Sequence, residues 1–282
     1  MNNLRTTLFL GLLTGLVMAV GYLVGGRSGV LTALAISVIF NFSAYWWSDK
    51  IVLKTYGAIE ADKNKYSGLY QTMTNLTAAA GLPLPKLYLM ESALPNAFAT
   101  GRNENHAVVA VTTGLLQQLN PAELSGVLAH ELSHIKNKDI LIGSLAATFA
   151  GAISYLTQFA YLGNFSGLSD SEDNNGKGMA SALLMMVLAP LIATLLHLAI
   201  SRSREYLADE SGAKITNNPE GLASALAKIS NFTFNHQLHG SPKQETAAHL
   251  FIINPFKPSF LMTLFTTHPP VEERIKKLQT MR

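Results

Sequence analysis

The chain has 282 residues, no cysteine, 48% hydrophobic and 14% charged residues, and a formal net charge of +3. Disulfides and thiolate metal ligands are thereby excluded, and the apolar excess is too large for an ordinary soluble domain. No basic stripe with interleaved aromatics occurs, so nucleic acid is not an expected partner.

Residues 6–26 and 28–48 are two uncharged stretches of 21 residues, separated only by Arg27. About 20 such residues cross a bilayer as a helix, so residues 1–48 are expected to form a transmembrane hairpin turning at the glycine-rich connector. A cleaved signal peptide competes for the first stretch, but its apolar run exceeds a usual signal core and a second run follows at once. Tyr45, Trp46 and Trp47 close the second stretch with residues suited to a membrane interface.

Residues 49–139 are more polar. The pattern predicts a helix over 51–80, ending at Gly81-Leu82-Pro83, and strands at 86–90 and 106–111, with 97–100 a third. Asn96, in Leu94-Pro95-Asn96-Ala97-Phe98-Ala99, would then stand at a sheet edge of the kind that holds an extended peptide as an added strand. A plain turn before a core strand is the competing reading.

Next comes the stretch AELSGVLAHELSHIKNKD. Asn120 as cap, Pro121 at the first position and Glu123 at the third start a helix there. His130 and His134, four apart, share one helix face, with Glu131 beside it. Two neutral imidazoles can hold a zinc ion, and an adjacent carboxylate can take a proton from water. The bland alternative is a solvent-facing amphipathic helix that matches by accident.

Beyond it, residues 140–169 (30 uncharged) and 178–201 (24 uncharged) flank the acidic loop 170–177. They predict a second transmembrane hairpin over 140–201, with a buried hairpin as the alternative. Of the 21 Lys and Arg, only Arg27 and Lys177 lie in the two short connectors. The positive-inside rule therefore places both termini and the HELSH helix in the cytoplasm.

Helices are expected at 201–215, 219–232 and 271–279, around an irregular stretch at 235–260. Glu205 and Asp209 are four apart on one helix face. Glu205 is the candidate third zinc ligand, with Glu210 as the alternative, and Asp209 the candidate acceptor behind a ligating imidazole. If the helices continue unbroken, His134 lies about 9 Å before residue 140 and Glu205 about 7.5 Å past residue 200. Antiparallel spans would then bring both to one height. His268, Tyr206, Asn96 and Arg274 are candidates for oxyanion or substrate contacts. For His268 a structural cap, and for Arg274 a solvent or acid pair, are the competing roles.

HELSHIKNKD, SRSREYLADESGAK, LPNAFATG and HPPVEERIKKL together resemble the HtpX-type membrane zinc metalloproteases of peptidase family M48, relatives of the CAAX-processing proteases. The resemblance spans essentially the whole chain. It implies a mainly α membrane protein, with four transmembrane helices and a cytoplasmic zincin-like α+β protease domain containing a small sheet. The protease would be split into residues 49–139 and 202–282 by the second hairpin. It further implies a zinc metalloendopeptidase with one Zn2+ per chain on His130, His134 and Glu205, and Glu131 as the catalytic carboxylate. The site would face the cytoplasm from the inner membrane, and the substrates would be unfolded or damaged membrane proteins. A scaffold holding zinc for structure, or a hydrolase of lipidic substrates, are the other functional readings. Against the scaffold, no fourth Cys or His stands near either motif. Nothing in the sequence bears on oligomeric state.

Overall fold

The structure, a computed structural model, describes residues 2–145, 148, 202–236, 251–253 and 269–281. The acidic loop, the expected fourth span, all but the start of the third, and His268 lie outside these residues.

Helix α1 (Asn2–Thr55) is not a straight rod. Gly26 sits at φ 56° in its middle. The Asn41 amide donates to the Thr14 hydroxyl at 2.9 Å across 27 residues, a separation that a straight helix would stretch to about 40 Å. The chain therefore folds back at Gly26, where glycine tolerates the left-handed backbone. Gly21 and Gly29 meet backbone to backbone across the hairpin, leaving no room for a β-carbon on either. The second arm, Gly26–Thr55, is long and apolar enough to cross a membrane, while Leu10–Ala19 in the first arm is a shorter apolar helix. Among the described residues that makes one helix of spanning length; of the four spans expected, only the first two fall within those residues. Leu31, Ile36, Ile39, Phe42, Trp46 and Trp47 point outward from the second arm.

The helix expected over 51–80 is broken. Gly57, at φ 62°, turns the chain into the two-residue strand β1 (Ile59–Glu60). The Asp62 carboxylate then accepts from the Asn64 and Lys65 amides ahead of α2 (Ser67–Ala80), which stops at left-handed Gly81. Strands β2 (Lys86–Met90), β3 (Ala97–Thr100) and β4 (Val108–Thr112) follow. The sheet order is β1-β2-β4-β3, with β2 and β4 parallel and both outer pairs antiparallel. Strand β3 is thus an edge. The strand expected from 106 starts two residues late, because 104–106 form a 3-10 turn capped by Asn103.

Helices α3 (Thr113–Gln118), α4 (Pro121–Lys136), α5 (Arg202–Thr216), α6 (Pro219–Asn235) and α7 (Val271–Gln279) complete the described elements. Alternating side chains give the sheet two apolar faces. Leu87, Leu89, Val109 and Val111 pack with Val127, Leu128 and Leu132 of α4, with α2 and with Leu222, Leu226 and Ile229 of α6. Met90, Phe98, Val108 and Ala110 pack instead against Val52 and Leu53 at the end of α1. The sheet is therefore wedged between the HELSH helix and the membrane-apt arm. Truncating a fully buried leucine such as Leu132 here should cost about 2–5 kcal/mol.

Helix α4 begins with the full capping box: Asn120 accepts from the Glu123 amide and Glu123 accepts from the Asn120 amide. The second Glu123 oxygen accepts from Ser224, and Lys228 also reaches the carboxylate, so the start of α4 is tied to α6. At the other end the helix does not run on towards residue 140, as the sequence reading assumes. It stops at Lys136; Lys138 is left-handed at φ 59°, and the Asp139 amide donates back to the His134 carbonyl at 2.9 Å. With Lys138 N–H on Ile135 O, this is a Schellman turn. A new helical segment begins at residue 140.

Candidate metal centre

The i, i+4 spacing on α4 stacks His130 over His134, with their Nε2 atoms 3.2 Å apart and the rings nearly perpendicular. Helix α5 crosses α4 with one buried face, Glu205, Ala208, Asp209 and Gly212, at helical spacing. That crossing sets Glu205 Oε2 3.7 Å from His130 Nε2 and Glu205 Oε1 3.7 Å from His134 Nε2. Ligand atoms of the three residues all lie within 4.8 Å of one another. Glu210, the alternative acid, is exposed and pairs with Lys214 one turn on.

The partners behind the rings decide what this cluster can hold. Asp209 Oδ1 lies 2.9 Å from His130 Nδ1, and Asp139 Oδ2 lies 3.6 Å from His134 Nδ1. The carboxylate within hydrogen-bond reach of His130 Nδ1 keeps the proton there and leaves Nε2 as a bare lone pair, and Asp139, at ion-pair distance, favours the same tautomer of His134. Two such nitrogens and a carboxylate, facing one another, form a nest of acceptors that calls for a cation. The donor set is one that catalytic zinc takes, with one position left open. The 3.2 Å between the ring nitrogens is close to the ~3.3 Å expected of two tetrahedral ligands at roughly 2.0–2.1 Å. Burial pulls the His134 imidazole down, but Asp139, Glu205 and Glu131 outweigh it and raise it to about 9.

Glu131 is buried beside the cluster. Burial pushes its carboxyl up from the usual range, against the pull of His130 and His134; Glu205 pushes the same way and the Ala99 amide opposes. Its Oε2 accepts from the Ala99 N–H of β3 at 2.8 Å. Phe98 pairs with Ala110 inside the sheet, and alternation turns the Ala99 N–H to the free edge. Among the described residues no strand pairs on the outer side of β3, and Glu131 takes the Ala99 N–H there.

Arg274 of α7 is almost fully buried. Its Nε and Nη2 donate to the two Asp209 oxygens at 2.8 and 2.6 Å, and Nη1 lies 3.7 Å from Glu205 Oε2. Burial would raise the Asp209 carboxyl, but Arg274 and His130 hold it below the ordinary value. The described contacts thus put Arg274 behind His130, paired with an acid of the site. The Tyr206 hydroxyl donates to Glu273 at 2.7 Å and its ring lies under Lys277, so that side chain is engaged at the α5–α7 seam. Asn96 is buried just ahead of β3, and its Oδ1 accepts from the Ile252 amide at 3.0 Å. Three features have no counterpart in the sequence reading: the Ala99 amide, Asp139 with Arg204 Nη1 3.6 Å from its Oδ1, and Gly212, where a β-carbon would strike the His130 backbone. The first is a backbone group. The second depends on a left-handed lysine, and the third on a crossing between distant helices.

The profile of peptidase family M48 matches residues 63–282. A protein described as a protease HtpX homolog from a Sulfurihydrogenibium species is 48% identical, over 99% of this chain and 96% of its own length. Another so described, from Pyrococcus furiosus, is 48% identical over 98% and 94% respectively. Among solved structures, that of S. mikatae Ste24p aligns with a TM-score of 0.51 at 18% identity. It covers 99% of this chain, which spans 63% of the Ste24p chain, and at that identity the likeness speaks for the fold. The chain belongs to peptidase family M48 and is an HtpX-type metalloprotease.

Proposed function

We propose that the protein is an integral membrane, zinc-dependent endopeptidase that cleaves misfolded or damaged membrane proteins on the cytoplasmic side of the membrane. The observation that carries this reading is the convergence of His130, His134 and Glu205 beside a buried Glu131 that accepts from the Ala99 amide on the outer side of β3. When bound, zinc supplies Lewis acidity to the carbonyl under attack and makes water a nucleophile near neutral pH. Glu131 takes the proton of the attacking water and hands it to the leaving amine. Its position beside His130 and His134, with Oε2 held by the Ala99 amide, places it to make both transfers. The edge of β3 can take an extended segment as an additional strand, which favours unfolded chain over folded domains. Asp209, pinned by Arg274, holds the His130 ring.

The remaining assignments rest on sequence: four spans, residues 140–201 as a second hairpin, and the basic residues of both flanking blocks facing the cytoplasm. The test is Glu131→Gln in the full chain, purified in detergent. Zinc content should match the wild type while cleavage of an unfolded casein-like substrate disappears. Cleavage at the wild-type rate by that variant would remove Glu131 from the chemistry.

A further inference from the structure

Two arginine–aspartate pairs back the two imidazoles, one for each. Arg274 and Asp209 stand behind His130, drawn from α7 and α5. Behind His134 stands Asp139, with Oδ2 3.6 Å from Nδ1, and Arg204 Nη1 is 3.6 Å from the other Asp139 oxygen. Both Asp139 and Arg204 are buried. The second pair is looser than the first, and its position differs. Asp139 is the residue before the helical segment that leads into the uncharged stretch 140–169, and Arg204 lies in the first turn of the helix that follows the uncharged stretch 178–201.

The chain takes a disfavoured path to put Asp139 there. A lysine in the left-handed region carries a steric cost that glycine would avoid. Yet Lys138 adopts φ 59°, and the Schellman turn it closes returns the Asp139 amide to the His134 carbonyl. The same turn thus binds Asp139 by its backbone to the residue whose ring its side chain faces. Had α4 run on straight, residues 134 and 139 would point about 140° apart around the axis, at 100° per residue.

We infer that Asp139 and Arg204 form a second positioning relay, which orients the His134 ring and its Nδ1 proton towards metal binding and joins the two chain positions that flank residues 140–201. This rests on the reading of His134 as a metal ligand. Arg204 fixes the Asp139 carboxylate, and the carboxylate keeps the proton on Nδ1, so that Nε2 presents its lone pair. Asp139 touches neither substrate nor metal; it acts through His134.

The test uses the full chain in detergent, with zinc affinity read by chelator competition and the site geometry by the visible spectrum of the cobalt-substituted protein. Asp139→Leu should weaken zinc about 10- to 100-fold, as loss of an outer partner of a ligating histidine does, and should shift the cobalt bands. Asp139→Asn, which keeps an acceptor for Nδ1–H, should recover most of the affinity. Wild-type affinity and an unchanged cobalt spectrum in Asp139→Leu overturn the relay. Should that variant fail to fold, Arg204→Met carries the test: weaker zinc with shifted bands supports the relay, and wild-type behaviour overturns it. His134→Ala separates the two levels. If it binds zinc as the wild type does, the metal-centre reading falls and the relay with it; if it loses zinc while Asp139→Leu does not, only the relay falls.

Discussion

Gly212 lies flat on the backbone of His130: a β-carbon there would come within 2.9 Å of the His130 amide nitrogen and 3.1 Å of its Cα. The three nearest atoms it would meet are all main chain, so relief by a swinging side chain is not on offer. Helix α5 can therefore approach α4 closely enough for Glu205, two turns earlier on the same face, to reach both imidazoles. Gly212→Ala should push α5 outward and cost about 1–3 kcal/mol of stability, the usual range for overpacking. It should also weaken zinc, because Glu205 retreats with the helix. Thermal unfolding and metal content of the purified variant check both, and wild-type values for the pair would disprove this account of the crossing.

The metal should compete with a proton. In the metal-free protein burial lowers the His134 imidazole, but Asp139, Glu205 and Glu131 raise it to about 9, above its ordinary value near 6.5. Since the folded value lies above the unfolded one, the proton stabilises the metal-free fold fully below about pH 6.5, and that contribution fades as pH rises through about 9. Zinc needs the neutral ring, so binding must expel the proton. Apparent zinc affinity should then fall about tenfold for each pH unit below about 9 while one proton is displaced. Chelator competition from roughly pH 6 to pH 10 measures this, and a flat affinity over that range contradicts it.

Arg274 is the buried countercharge of the site, donating to Asp209 through two nitrogens and lying 3.7 Å from Glu205. Without it, Asp209 and Glu205 share the buried site with Glu131 and no guanidinium to balance them. Removing one partner of a buried ion pair typically costs about 3–5 kcal/mol. Arg274→Met should therefore destabilise the protein most in chelator, and added zinc should restore part of the loss by supplying positive charge. Unfolding temperatures with and without zinc decide the matter. A variant as stable as the wild type in chelator would mean that the pair contributes nothing.

What the sequence discloses follows from range. The Asn120–Glu123 box, the His130–His134 stack and the Glu205–Asp209 face are all local repeats of helical geometry, so spacing alone locates them. The strands at 86–90 and 97–100 stand where β-rich runs meet Pro and Gly. Strand β1, two residues long, is too short to carry a period. The break after Lys136 depends on a left-handed lysine, and lysine does not announce that conformation as glycine does. Arg274 meets Asp209 across 65 residues, and the Ala99 donor is a peptide group that no side-chain motif records. Residues 49–66 mislead for another reason. Their apolar positions suit a helix, but Gly57 at φ 62° ends it, and Val52 and Leu53 are spent on the sheet face instead of a longer helix.

The hairpin arrangement can be mapped because the chain has no cysteine. Single substitutions Arg27→Cys, Lys177→Cys, Lys50→Cys and Lys276→Cys each place one thiol at a chosen point without background. With 19 of the 21 basic residues outside the two connectors, the positive-inside rule puts positions 50 and 276 in the cytoplasm and positions 27 and 177 across the membrane. A membrane-impermeant maleimide should label the latter two on intact cells and the former two only after permeabilisation. Lys177→Cys is the decisive position, because two helices must cross between it and the zinc-site helices on either side. If it reacts only after permeabilisation, as Lys50→Cys should, then residues 140–201 make no excursion through the bilayer, and the uncharged stretches must be buried against protein instead.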